Sequence, residues 1–186
     1  MRLRHLTLVL VVSTVTAVSY WLSRDAEQRL ELLLTPGALV PELFMEDFIS
    51  METGPDGLPR HRLSGQRMDQ YRHDGSSQVQ APVMILHGEH GIDWTVVSEL
   101  AHVSPAGDEV YLQGEVHMAR PAGADHPEVD IHTRDVTVWP QTRQAHSDEH
   151  VAVRSSLYHV DGTGMRANLQ TSVVELLHDA DGTYFP

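Results

Sequence analysis

The sequence contains no cysteine and no lysine, and aromatic residues make up only 6% of its 186 residues. Without cysteine there can be no disulfide, no thiolate metal site and no cysteine-linked lipid anchor, although this leaves the redox compartment open. Without lysine there is no Ser-x-x-Lys nucleophile, and no Gly-x-Ser-x-Gly elbow occurs either. A Ser/His/Asp site is defined by geometry rather than spacing, so the sequence offers no positive signal for catalysis, and no enzyme is expected. All 13 basic residues are arginine, set against 26 acidic ones for a formal charge of −13. That balance argues against nucleic-acid binding and for an acidic, soluble surface.

Charge is also missing from Leu6 to Leu22, a run flanked by Arg2, Arg4 and His5 before it and Arg24 after it. Such a run rises about 25 Å at ~1.5 Å per residue, short of a ~30 Å hydrocarbon core, and Tyr20-Trp21 extends it into the interface. We expect a single-pass membrane anchor, with a cytoplasmic N-terminus and the remainder exported. The rival reading is a cleaved signal peptide ending near Ala17-Val18-Ser19. The expected division is a stub and spanning helix over 1–23, a partly helical linker over 24–42 ending in Pro36, Gly37 and Pro41, and an exported domain over 43–186.

From about Leu43 onward the sequence lacks a sustained 3.6-residue apolar period, while turn punctuation comes at intervals of roughly 8 to 15 residues, an all-β signature. The clearest strand is Glu109 to Met118. Val110, Leu112, Gly114, Val116 and Met118 share one face there, with Glu109, Gln113, Glu115 and His117 on the other. Other strands are expected over Phe44–Thr53 and Arg60–Tyr71, joined by a reversal at Gly54–Pro59, then over Val79–His87, Ile92–Ser98 and Ala101–Ser104. Further strands are expected over Val129–Trp139, with an irregularity at Arg134-Asp135, and over Val151–Arg154, Met165–Leu169 and Val173–His178. Three stretches, around Ser98, Thr133 and Thr163, share a pattern of strand, small residue and second strand at a spacing of roughly 30 to 35 residues. No single unit could bury its apolar face, so two antiparallel sheets packed face to face are expected.

The 13 histidines raise the question of a metal. The closest pairs, His87-x-x-His90 and His146-x-x-x-His150, are not on helices where such spacings would align the rings, so neither a metal nor any other cofactor is expected. Asp179-Ala-Asp181-Gly182 resembles the start of a calcium loop but reads better as a terminal Asp-Gly turn. Alternation selects Val83, Ile85, Trp94, Val96, Val110, Leu112, Val116, Ile131, Val136 and Val138 as the interior. Period-two apolar residues usually mean core alone, and a splayed interior that admits an apolar ligand is the functional alternative. Open sheet edges are the second feature, since lysine cannot blunt them here.

Several ordered motifs carry a family resemblance: His61-Arg-Leu63, Ala81-Pro-Val83, Trp94-Thr-Val96, Leu112-Gln-Gly-Glu-Val116, Ile131-His-Thr133, Gly162-Thr-Gly-Met-Arg-Ala-Asn-Leu169 and Tyr184. Together with the N-terminal hydrophobic run and the proline-containing connector, they resemble the LptC family of lipopolysaccharide export over Phe44 to Tyr184. The absence of lysine and the Asp- and His-rich loops depart from its better-known members. The resemblance implies a twisted open β-jelly roll whose interior carries lipopolysaccharide acyl chains, without catalysis. It further implies lipid receipt from an inner-membrane ABC transporter at the anchor and the N-terminal edge, around Phe44 and Phe48. Transfer to the bridge protein LptA would follow at the C-terminal edge, around Gly162, Met165, Leu169, Val174 and Leu176. The alternatives are a membrane-tethered structural or adhesive sandwich with a sealed core, and an exported metal or carbohydrate binder.

Overall fold

A computed structural model describes residues 41–54, 57–88, 93–123 and 126–185. Ten strands follow one another: β1 (Pro41–Thr53), β2 (Pro59–Tyr71), β3 (Ser77–Gln80), β4 (Val83–Leu86), β5 (Trp94–Val103), β6 (Val110–Arg120), β7 (Val129–Trp139), β8 (Gln144–Arg154), β9 (Tyr158–Asn168) and β10 (Val173–Tyr184). They form a single sheet in the order β1-β2-β3-β5-β6-β7-β8-β9-β10, with β4 also lying between β2 and β5. Every strand pair is antiparallel. The expected all-β class is therefore present, but as one continuous sheet rather than two.

A seam of irregularities lets that one sheet make two layers. Ala81 (φ 47°) separates β3 from β4, Gly114 (φ 82°) lies on β6, Asp135 (φ 47°) on β7 and Gly164 (φ 73°) on β9. Register shifts fall along the same line, at Ser98/Leu100 on β5, Leu112/Glu115 on β6 and Ser147/His150 on β8. A bulge bends its strand and increases local twist, so bulges aligned from strand to strand crease the sheet. They also reset the alternation. On β7 the buried residues are Val129, Ile131 and Thr133, then Val136 and Val138, a slip of one position at Asp135. Because side chains alternate with period two, an unslipped strand would turn Val136 and Val138 to solvent. The slip keeps the apolar residues of both halves of the strand in one interior.

Several sequence expectations are corrected here. Val79 to His87 is two short strands, because Pro82 lacks an amide hydrogen and Ala81 adopts a left-handed backbone whose amide bonds Glu99 O at 2.9 Å. Trp94 to Val103 is one bulged strand, not two. β8 begins at Gln144 and β10 extends to Tyr184, polar stretches in which alternation carries no signal. Asp179 (φ 49°) sits at a bulge within β10, between His178 and Asp181, and not in a terminal turn. Among the described residues no helix is long and apolar enough to cross a membrane. The expected span over Leu6–Leu22 lies outside the described residues, as do Ile92 and His90.

Candidate functional site: the interior and two free edges

Eight of the ten residues expected in the interior are buried there: Trp94, Val96, Val110, Leu112, Val116, Ile131, Val136 and Val138, each at most 2% exposed. Val83 and Ile85 are not part of that face. They alternate with Met84 and Leu86, which are the buried pair on β4, because the break at Ala81-Pro82 sets the phase of the short strand. Val79, Met118, Val151, Met165 and Leu169 belong to the same buried cluster, each at most 2% exposed.

The interior opens toward both ends of the sheet. At the β1 end a cavity of about 280 Å³ is bounded by Phe48, Leu63, Met68, Met84, Val103 and Val110. At the β10 end a cavity of about 320 Å³ is bounded by Val129, Val153, Tyr158, Val160, Val174 and Leu176. Each mouth takes residues from both sides of the crease, so each is a gap between the two layers. These mouth residues were largely missed from sequence. Leu63, Met68, Tyr158 and Val160 lie on strands with weak alternation, and only the hairpin register brings them together.

Polar groups inside are mostly held by hydrogen bonds. The Ser147 hydroxyl donates to Arg134 O at 2.7 Å and the Thr133 hydroxyl to His150 O at 2.9 Å. Arg120, only 6% exposed, donates to Pro127 O at 2.8 Å and sits 5.7 Å over the Trp94 ring. His61 lies in the β1 mouth, its Nε2 3.5 Å from Glu52, and burial pushes its imidazole below the usual value while the Glu52 carboxylate pulls it partly back.

The edge strands β1 and β10 stand at opposite ends of the sheet path and do not pair with each other. On β1, Phe44 is exposed beneath the Arg67 guanidinium at 4.8 Å, whereas Phe48 is buried and belongs to the core. Leu43, Ile49 and Met51 are exposed alongside Phe44. On β10, Val174 and Leu176 are half-buried against the core. Gly162, Met165 and Leu169 lie on or just beyond β9, one strand in from the edge. Gly162 lacks the positive φ that a corner would require. An added β-carbon there would come within 3.1 Å of His178 O and Leu176, so close approach of β10 is what demands glycine. Of the histidine pairs noticed in sequence, His87 pairs with Asp93 at 3.0 Å and His146 with Asp148 at 3.1 Å.

The fold has a known counterpart. The chain is similar to the crystal structure of LptH from Pseudomonas aeruginosa, titled the LptA homologous periplasmic component of the conserved lipopolysaccharide transport device, with a TM-score of 0.54 and 10% identity. The match covers 68% of this chain and 95% of that one, a likeness of fold. No curated protein matches the sequence. The family profile described as "Lipopolysaccharide-assembly, LptC-related" matches residues 8–185, nearly the whole chain. The chain therefore belongs to the LptC-related family, a non-enzymatic component of lipopolysaccharide transport.

Proposed function

We propose that the creased sheet takes lipopolysaccharide acyl chains between its two layers and relays them from an inner-membrane ABC transporter at the β1 edge to an LptA-like bridge protein at the β10 edge. The anchor over 1–23 would hold the domain at the membrane with its β part in the periplasm. The observation that carries this reading is an apolar interior with a mouth at each end of the sheet, next to edge strands that no other strand covers among the described residues. An acyl chain gains about 25 cal/mol for each Å² of apolar surface it buries, so a mouth that parts slightly is a favourable entry. Unpaired edge amides and carbonyls are what strand addition uses to join β proteins end to end. The second reading is a tethered sandwich with a sealed core, in which the fully buried centre stays shut; in the proposed reading the layers separate when lipid enters.

Photo-crosslinking in cells separates the two. A crosslinking amino acid at Leu63, Met68, Val160 or Val174 should yield lipopolysaccharide adducts, and the same probe at His102, on the outer face, should not. Equal labelling from both faces, or none from the mouths, would leave the sealed sandwich as the better account. Mouth positions are the right test because Leu112 is fully buried, and a charge there would unfold the domain before it reported on lipid.

A further inference from the structure

The outer face of the sheet carries a cluster that the interior does not use. The β6–β7 register pairs His117 with His132 and Ala119 with Asp130, so two histidines 15 positions apart in sequence become cross-strand neighbours beside a carboxylate. Their rings stack at 4.6 Å between centroids with 17° between planes. Both turn the same nitrogen toward Asp130: His117 Nε2 lies 2.5 Å from Oδ2 and His132 Nε2 2.7 Å from Oδ1. Ligand atoms from all three residues lie within 4.8 Å of one another. The sequence hid this arrangement because the spacing is set by a hairpin and not by a helix turn.

We propose that His117, Asp130 and His132 form a site for one divalent transition ion of the zinc class, bound through two imidazole Nε2 atoms and one carboxylate oxygen with water completing the shell. Two imidazoles and a carboxylate suit Zn²⁺ better than Mg²⁺ or Ca²⁺, which prefer all-oxygen shells. Zinc–nitrogen bonds of about 2.0–2.1 Å need the three donor atoms to close around a point between them. Small χ rotations of half-exposed side chains on two hydrogen-bonded strands achieve this without moving the backbone. In the metal-free form each Nε2 can reach the carboxylate only by donating a proton to it. A neutral ring ligates through Nε2 only with its hydrogen on Nδ1, so the ion takes the place of the two Nε2–carboxylate hydrogen bonds and the rings change tautomer.

The surroundings leave Asp130 free for this task. Arg154 stands opposite Asp130 on β8, yet its guanidinium is engaged by Asp161 through two bonds of 3.2 Å. His150 and His159 also lie toward Asp161, at 4.0 and 3.9 Å, and on the other side Arg134 faces Glu115 at 3.7 Å. Neither arginine is aimed at the space the ion would take. A cluster that served only as a surface ion bridge would contribute little to stability and would bind no metal selectively.

The test uses the full chain, purified in detergent without a histidine tag and stripped with a chelator. Titration with Zn²⁺ by calorimetry should show one site above any weak background, with Co²⁺ giving the visible absorption of a low-coordinate nitrogen-ligated ion. His117→Gln, His132→Gln and Asp130→Asn should each weaken that site at least tenfold while far-UV circular dichroism stays unchanged. His146→Gln, altering the other histidine–aspartate pair, should leave it intact. Absence of a one-equivalent site, or a site that survives His117→Gln and His132→Gln together, would overturn the assignment. Because these residues lie on the outer face, lipid crosslinking from the mouths tests the proposed function independently.

Discussion

The amide of Gly114 on β6 donates to the Asp135 carboxylate on β7 at 2.8 Å, and both residues hold positive φ, 82° and 47°. The bond joins the two irregular positions where the crease crosses the middle of the sheet. Aspartate is one of the few residues with a β-carbon that tolerates this conformation, and its carboxylate supplies an acceptor for the amide that the bulge removes from the ladder. Asp135→Ala loses both the charged acceptor and that tolerance and should cost about 2 kcal/mol. Gly114→Ala meets no atoms within 4 Å of its new β-carbon, so only backbone strain of roughly 1 kcal/mol should appear. Urea unfolding of the two variants measures both values. An unchanged midpoint for Asp135→Ala would mean that the crease is held elsewhere.

A second prediction concerns Gly162, where an added β-carbon would sit 3.1 Å from His178 O and from the Leu176 side chain on β10, so that a branched side chain must displace them. Gly162→Val should push β10 off β9 while β5 to β8 remain intact. Hydrogen exchange should then show lost protection across 173–184 and retained protection across 110–120. Uniform loss through the sheet would show that β10 is not a separable edge. Gly162→Arg, larger still, should also lose co-purification of the bridge protein.

Which parts were legible in the sequence follows from what each part depends on. Val110, Leu112 and Val116 were readable because β6 is half-buried along its length and, unlike β7, keeps one burial phase across its bulge at Gly114. Asp135 could be flagged as irregular because the apolar phase changes across it. Val83 and Ile85 were misassigned because a four-residue strand gives two candidates per face, and only the pairing of Met84 with Val96 decides between them. The single sheet was invisible for a related reason. A crease is made by bulges aligned across strands, and alignment is a property of register, not of any one segment. The cluster of His117, Asp130 and His132 depends on register in the same way.

The β1 mouth should be sensitive to acid through His61. Its imidazole is held below the usual value by burial, and its Nδ1 finds no hydrogen-bond partner among the described residues. The unfolded chain, with its histidine at the ordinary value of 6.5, therefore binds a proton that the folded chain resists. Stability is full above that value and falls as pH drops from it toward the lower folded value. The carboxylates of Asp69 and Asp74, held below their usual range by Arg67 and by Ser76, act in a separate and more acidic window. His61→Gln should flatten the slope of stability against pH between about 6.5 and the carboxylate range. A slope that persists in this variant would assign the acid sensitivity to other histidines.

The two edges differ in chemistry, which makes their roles separable. β1 exposes Leu43, Phe44, Ile49 and Met51, each at least half exposed, as an apolar row beside its unpaired backbone. β10 exposes Glu175, Asp179 and Asp181 near its own unpaired backbone, with Val173 and Tyr184 at its ends. An apolar edge loses association when charge is introduced, because the charge must be desolvated on docking. An acidic edge instead speeds and orients encounter with a basic partner surface, and salt screens it over a Debye length of about 8 Å at physiological ionic strength. Ile49→Glu with Met51→Glu should therefore reduce co-purification with the transporter by tenfold or more and leave capture of the bridge protein unchanged. Glu175→Gln with Asp181→Asn should do the reverse, slowing association with the bridge protein and removing most of its salt dependence. Truncation after Gln170 deletes β10 entirely and should abolish bridge-protein capture at any salt concentration. If that truncated chain still recruits the bridge protein at parental levels while the β1 double variant loses it, the direction of relay is opposite to the one proposed, with β1 as the exit.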